Sequence, residues 1–281
     1  MLSALKVLYR DVECCVRVNG FKSPWFNVNT GLKQGCLLSP ILFNMYINDL
    51  VDEIKQSVKG INIGDEWIFI LIYADDVCLL AESEADLQKA LSIMHHWCAK
   101  WKMSVNIDKT QVVHYRTQSK EQTKFSFMFG NQIISVVSQY KYLGLILNEH
   151  LDYSIMAKMV AKSAGRALGL LIAKSKASGG MPYNVYTKLY DALVQPVLDY
   201  GAGIWGTRDY SCINSVQHRA CRFFLGVGKY TPNVAVEGEM AWPFPQQRTW
   251  IAVTRLWCRL SNMENRLNKP VFTRAKQVNA S

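Results

Sequence analysis

Apolar positions recur every second residue or in short unbroken runs over the first half of the chain, then settle into a three-to-four-residue rhythm. The opening stretch, residues 2–10, reads as a short helix. Residues 14–18 and 25–28 read as strands of a hairpin around Asn19-Gly20, a pair that accepts positive φ at both positions. Ser39 as N-cap and Pro40 at the first helical position open a helix running to about residue 55. Two apolar strands, 68–73 and 77–81, flank a tight acidic turn. Ser83 and Asp86 form a capping box for the next helix, whose stripe Leu87, Leu91, Met94, Cys98 and Trp101 faces a core. His95 and His96 on that helix are not read as metal ligands. Strands at 111–115, 125–129, 133–137 and 140–147 follow. From 152 the pattern is helical: 153–175, then 182–199 beyond Ser178-Gly179-Gly180, then a Trp- and Arg-rich remainder interrupted around Pro232, Pro243 and Pro245.

Composition narrows the class. With 49% hydrophobic and 19% charged residues, the 281-residue chain is globular, not disordered or collagenous. Its longest apolar runs fall far short of the ~20 residues a bilayer span requires. No basic stretch followed by an apolar one opens the chain, so an intracellular, non-secreted protein is expected. The eight cysteines make no C-x-x-C pair, and Cys212, His218 and Cys221 lack zinc-knuckle spacing. Free thiols are the expectation. The net charge of +10 is unevenly spread: residues 1–150 hold 15 basic and 15 acidic side chains, residues 151–281 hold 17 and 7. A basic second half suits a polyanion such as nucleic acid, although a merely soluble basic surface has the same composition.

Asp75 and Asp76 are the candidate chemistry. A lone Ala-Asp-Asp is usually a structural turn, since aspartate favours turns. Here the turn is very short and its strands nearly all apolar, so both carboxylates are presented together at one edge. Hard oxygen ligands in that arrangement suit Mg²⁺ (or Mn²⁺) and two-metal phosphoryl or nucleotidyl transfer.

Tyr73-Ala74-Asp75-Asp76 resembles the F/Y-x-D-D box of reverse transcriptases. Upstream, residues 31–40 (Gly31-Leu32-Lys33-Gln34-Gly35-Cys36-Leu37-Leu38-Ser39-Pro40) resemble the G-x-x-Q-G-x-x-L-S-P block of that family. Downstream, Asn106-Ile107-Asp108-Lys109-Thr110 is similar to its N-x-x-K-T block, and Tyr142-Leu143-Gly144 to its primer-grip turn. Four blocks in the right order make the resemblance specific. It is nearest to the enzymes of non-LTR retrotransposons, covers about residues 1–205, and thins beyond, where Leu225-Gly226 and Glu237-Gly238-Glu239 still look familiar.

The resemblance implies an α+β fold: a partial polymerase palm lacking fingers (1–150), an all-α thumb (151–206) and a helical C-terminal extension (207–281). It implies RNA-templated DNA synthesis, with Asp75 and Asp76 as catalytic metal ligands and Lys109 near the triphosphate as general acid, unless Lys109 is a solvated turn lysine. Gln34, Gly35, Tyr73 and Ala74 are expected against template and incoming nucleotide, and Leu143 and Gly144 at the primer end. Lys158, Lys162 and Arg166, four residues apart, share one helix face that either tracks nucleic-acid phosphates or is simply solvated. The partners implied are an RNA template, a DNA primer and deoxynucleoside triphosphates, with no membrane.

The family's first catalytic aspartate lies on a strand well upstream of the Gln34-Gly35 loop. Asp11, the one aspartate ahead of the 14–28 hairpin, follows no apolar strand and is not assigned that role. The expectation is an N-terminally truncated polymerase with weak metal binding, little activity alone, and an exposed palm edge open to a partner. A non-catalytic nucleic-acid-binding module and a decayed retroelement fragment are the alternatives.

Overall fold

The computed structural model describes residues 2–64 and 66–263. The fold is mixed α+β, built of small, mainly antiparallel sheets and helices. Two compact units form, one from Met1–Ile61 with Ile68–Trp97, the other from Asn62–Trp67 and the chain from Cys98 on.

In the first unit, α1 (Leu2–Leu8) leads to a hairpin of β1 (Glu13–Cys14), β2 (Arg17–Val18), β3 (Phe21–Lys22) and β4 (Phe26–Asn27). Asn19 and Gly20 take φ of 50° and 88°, the signs of the turn that the dipeptide predicts. Between the paired segments, Ser23 N donates to Val16 O (2.8 Å) while Val16 N donates to Ser23 Oγ (2.9 Å). The hydroxyl thus stands in for a backbone acceptor and carries the ladder to the edge of Pro24. Helix α2 (Ser39–Ser57) buries Ile47, Leu50 and Ile54, one face at helical spacing. Past β5 (Ile61–Ile63) and β6 (Glu66–Ile68), most of which belong to the second unit, β7 (Ile70–Tyr73) and β8 (Asp76–Leu79) form a two-stranded ribbon of the first. Helix α3 (Glu84–Trp101) is capped by Ser83, whose Oγ accepts from Asp86 N (3.1 Å) and donates to Asp86 Oδ2 (2.6 Å). Trp97, outside the five-residue stripe, is also buried and meets Tyr46 edge-on at 5.8 Å.

The second unit begins with a three-stranded sheet ordered β10-β11-β9, from β9 (Gln111–Val113), β10 (Phe127–Phe129) and β11 (Gln132–Val137), with β9 parallel to β11. The single strand expected over 140–147 is instead a hairpin, β12 (Gln139–Tyr142) and β13 (Leu145–Asn148). Leu143 and Gly144, with φ of 46° and 83°, turn the chain back between them. From Ser154 on, every described element is a helix: α4 (Ser154–Ala177), α5 (Tyr183–Leu193), α6 (Gln195–Leu198), α7 (Ala202–Trp205), α8 (Ser211–Leu225), α9 (Asn233–Met240) and α10 (Pro245–Ser261). The helix expected over 182–199 breaks between α5 and α6 because Pro196 has no N–H to offer the preceding turn.

One hydrophobic core joins helices on both sides of residue 206. Met156, Ala164, Leu168 and Leu171 of α4 meet Tyr186, Tyr190, Ala220, Cys221 and Trp242 in a single cluster. Tyr190 stacks on Trp242 with ring centroids 4.2 Å apart, and Tyr186 on Phe224 at 4.9 Å. Burial pushes both tyrosine hydroxyls well above their ordinary value and the Cys221 thiol to about 12, so all three stay neutral in the core. The units therefore differ from the family-based division at 150 and 206. All eight cysteines are free. Among the described residues, no helix is long and apolar enough to cross a membrane.

Candidate active site

The acidic ribbon follows from its sequence. Tyr73 pairs with Asp76, Ile72 with Val77, Leu71 with Cys78 and Ile70 with Leu79, leaving Ala74-Asp75 as a two-residue loop. Strand pleat puts Asp76, Tyr73, Leu71 and Cys78 on one face and the aliphatic Ile70, Ile72, Val77 and Leu79 on the other. Ala74 is held at φ 53°, a conformation costing a non-glycine residue about 1–2 kcal/mol. Both carboxylates are exposed, and neither accepts a hydrogen bond or ion pair from a described residue. Burial pushes the Cys78 thiol up, so the group beside Asp76 is a neutral neighbour.

Adjacent free carboxylates are the right donors for Mg²⁺ or Mn²⁺. Among the described residues no group of three or more His, Cys, Asp or Glu is arranged to hold a metal ion. The pair therefore fits such an ion as part of a ligand set, not as a whole one.

The Gln34-Gly35 loop lies in the same unit. Ser39 was expected to cap α2, but it is the first helical residue, and its hydroxyl turns to the loop instead. Its Oγ donates to Lys33 O (2.7 Å) and lies 3.0 Å from the Tyr9 hydroxyl, which must then be the donor to it. Lys33 Nζ reaches Leu8 O at 2.7 Å, the natural place for a cation at the end of α1. Gln34 and Gly35 are left exposed at the tip of a loop pinned on both sides. The Leu38 N–H lowers the Cys36 thiol from its ordinary value. No hydrogen bond or ion pair between described residues joins this loop to the acidic ribbon. Replacing Ser39 with alanine is expected to cost about 1–2 kcal/mol and to speed amide exchange over residues 31–38. Unchanged exchange there would show that the pin does not hold the loop.

Lys109, Leu143, Gly144 and the α4 cations belong to the second unit. Asn106 caps a short 3₁₀ turn, Ile107–Lys109, accepting from Lys109 N (3.2 Å), while Thr110 Oγ1 donates to Asn106 O (2.8 Å). The N-x-x-K-T residues thus make a self-contained cap that leaves the Lys109 side chain exposed. Tyr140 OH donates to Lys109 O (3.1 Å), tying the turn to β12.

The Leu143-Gly144 turn has a partner that sequence reading missed. Tyr200 OH donates to Leu143 O (2.9 Å), and a Cβ on Gly144 would stand 2.6 Å from the Tyr200 hydroxyl oxygen. The one visible signal was Gly201, at φ 66°, closing the helical pattern just after Tyr200. On α4, Lys158, Lys162 and Arg166 are all exposed, opposite the buried Met156, Val160 and Ala164.

Residues 2–147 match a family described as reverse transcriptase (RNA-dependent DNA polymerase). The chain is 24% identical to the RNA-directed DNA polymerase from mobile element jockey of Drosophila melanogaster, over 81% of this chain and 25% of that protein. It is 26% identical to the probable RNA-directed DNA polymerase from transposon BS of Drosophila melanogaster, over 78% of this chain and 25% of the relative. With the Pol polyprotein of a type-1 R2 retrotransposable element from Nasonia vitripennis it shares 30% identity, over 51% of this chain and 15% of that protein. The chain thus spans about a quarter of the length of the first two relatives. The ribbon, the pinned loop, the Asn106 cap and the tight turn all fall within the matched residues. This chain belongs to the reverse transcriptase (RNA-dependent DNA polymerase) family.

Proposed function

We propose that this chain supplies the palm carboxylate pair, template loop, primer turn and thumb of an RNA-directed DNA polymerase. The observation that carries the reading is the exposed Asp75-Asp76 pair at the tip of a two-stranded ribbon, free of any described partner. Asp75 and Asp76 hold the divalent metal, and Lys109 stands as proton donor to the leaving pyrophosphate. Gln34, Gly35, Tyr73 and Ala74 line the template and incoming nucleotide. Leu143 and Gly144 position the primer end, and Lys158, Lys162 and Arg166 track phosphates. In this reading 1–150 act as palm, 151–206 as thumb and 207–281 as a helical extension. Bound Mg²⁺ or Mn²⁺ supplies positive charge against the attacking and leaving oxygens of an in-line displacement.

The two carboxylates need further ligands for tight metal binding. The half-open face carrying Leu71 (36% exposed) and Tyr73 (66%) is where a partner strand or segment adds them. A non-catalytic nucleic-acid-binding role is the second reading, favoured by the lack of a third ligand among the described residues.

Fe²⁺ in place of Mg²⁺, with ascorbate and peroxide, cuts backbone near a bound metal and so tests the pair without requiring activity. Cleavage is expected around residues 73–76 and is expected to vanish in Asp75→Asn combined with Asp76→Asn. Cleavage that ignores those substitutions, or template-directed synthesis that survives them on a primed RNA, would sink the polymerase reading.

A further inference from the structure

The helices of the second unit enclose a cleft of about 480 Å³, within the ~300–1,000 Å³ range of small-ligand pockets. Its walls differ in character. Ile172 of α4 with Phe223 and Val227 make an apolar side, while Arg219, Arg222 and Lys229 bring three cations.

The nearby carboxylate is already engaged: Glu237, 5% exposed, accepts from His218 Nε2 at 2.8 Å. Arg222 is anchored, donating to Thr231 O (2.8 Å) and Asn233 Oδ1, and so braces the 226–233 segment. Arg219 is exposed and has no hydrogen-bond or ion-pair partner among the described residues. Lys229 Nζ lies 4.8 Å from the centroid of the Tyr230 ring, which is 87% exposed. Two cations and an apolar wall that includes the Phe223 ring are what a nucleotide recognises: charge for phosphate, flat apolar surface for base.

A second observation extends the site. Gly165 and Gly169 stand inside α4, where glycine weakens a helix relative to alanine, yet a Cβ on either meets nothing within 4 Å. No packing among the described residues calls for them. At about 100° per residue, Lys158, Lys162, Gly165, Gly169 and Ile172 fall within roughly 40° of one line along the helix. Ile172 lies about 21 Å from Lys158 along that line. The strip between the lysines and the cleft is bare of side chains at those two glycines.

We propose that the cleft binds one nucleotide of a single-stranded nucleic acid. Its phosphate lies between Arg219 and Lys229 and its base against Ile172 and Phe223, with the backbone running over Gly165 and Gly169 toward Lys162 and Lys158. A duplex hides the base faces that this wall contacts, which favours a single strand. The inference does not depend on the acidic ribbon, which lies in the other unit.

The test uses the full chain and a fluorescent oligouridylate, with anisotropy read across a salt series. Arg219→Gln with Lys229→Gln is expected to weaken binding about tenfold and to flatten the log–log salt slope by roughly 0.7, one phosphate's worth for a single strand. Gly165→Ala with Gly169→Ala is expected to raise Tm while weakening binding, a pairing that a purely structural role for the glycines does not produce. Unchanged affinity and slope in the charge variant, with Tm retained, would overturn the site. Adenosine monophosphate competing as effectively as the oligonucleotide would overturn the strand reading in favour of a free mononucleotide. Glycine variants that bind at full strength would remove the strip from the path.

Discussion

Replacing Gly144 with alanine is expected to destabilise the second unit by about 2–5 kcal/mol, the sum of two separate penalties. The first is backbone: φ is 83°, where an L-residue pays roughly 1–2 kcal/mol. The second is steric, since the new Cβ would lie 2.6 Å from the Tyr200 hydroxyl oxygen and 2.8 Å from its ring. Forcing atoms into such a contact typically costs about 1–3 kcal/mol. Tyr200 can swing away only by giving up its hydroxyl's bond to Leu143 O. Urea denaturation of Gly144→Ala, Tyr200→Ala and the double variant separates the terms. The double variant should recover the steric part, giving a coupling of about 1–3 kcal/mol. Strict additivity would show that Tyr200 does not press on the turn. Because the same turn is the proposed primer support, the single variant should lose primer binding before it unfolds.

Trp205→Ala is expected to be comparably severe, at about 3–5 kcal/mol. The side chain is fully buried, meets Tyr210 edge-on at 5.8 Å and sits in α7, which packs against α10. Alanine removes the ring and also leaves the Tyr200 carbonyl without its donor, Trp205 Nε1. Trp205→Phe distinguishes the two effects, since it keeps most of the apolar bulk and loses only the N–H; roughly 1–2 kcal/mol is expected. A calorimetric melt of the second unit reads both. Equal losses in the two variants would assign the effect to the hydrogen bond, not to packing.

Local chemistry explains which elements were legible. Asn19-Gly20, the Ser83 cap on Asp86 N and the apolar strands around Ala74-Asp75 each act within a few residues and form as their patterns predict, while Asp86 bonds the Ser83 hydroxyl in place of the backbone N–H that completes a capping box. The amphipathic face of α4 is equally direct, with exposed cations opposite a buried aliphatic stripe. Reading failed where a residue had a distant competitor for its role. Ser39 has the sequence context of an N-cap, yet Lys33 O and Tyr9 OH draw its hydroxyl into the loop. Residues 140–147 look like one strand because Leu143 is apolar; the family resemblance puts a turn at 142–144, and the positive φ at 143 and 144 shows how the chain makes it.

By itself the sequence determined the tight acidic turn, the order of the four motif blocks and the helical character of the described residues after 152. Those depend on neighbours along the chain, whose steric and hydrogen-bonding preferences need no tertiary help. The tertiary structure alone decided that Tyr200, 57 residues away, clamps the Leu143 carbonyl. It also decided that Arg219, Arg222 and Lys229 meet Ile172 across a cleft. Such contacts arise when separate apolar faces seek a common core, and periodicity records that a face is buried without recording against what.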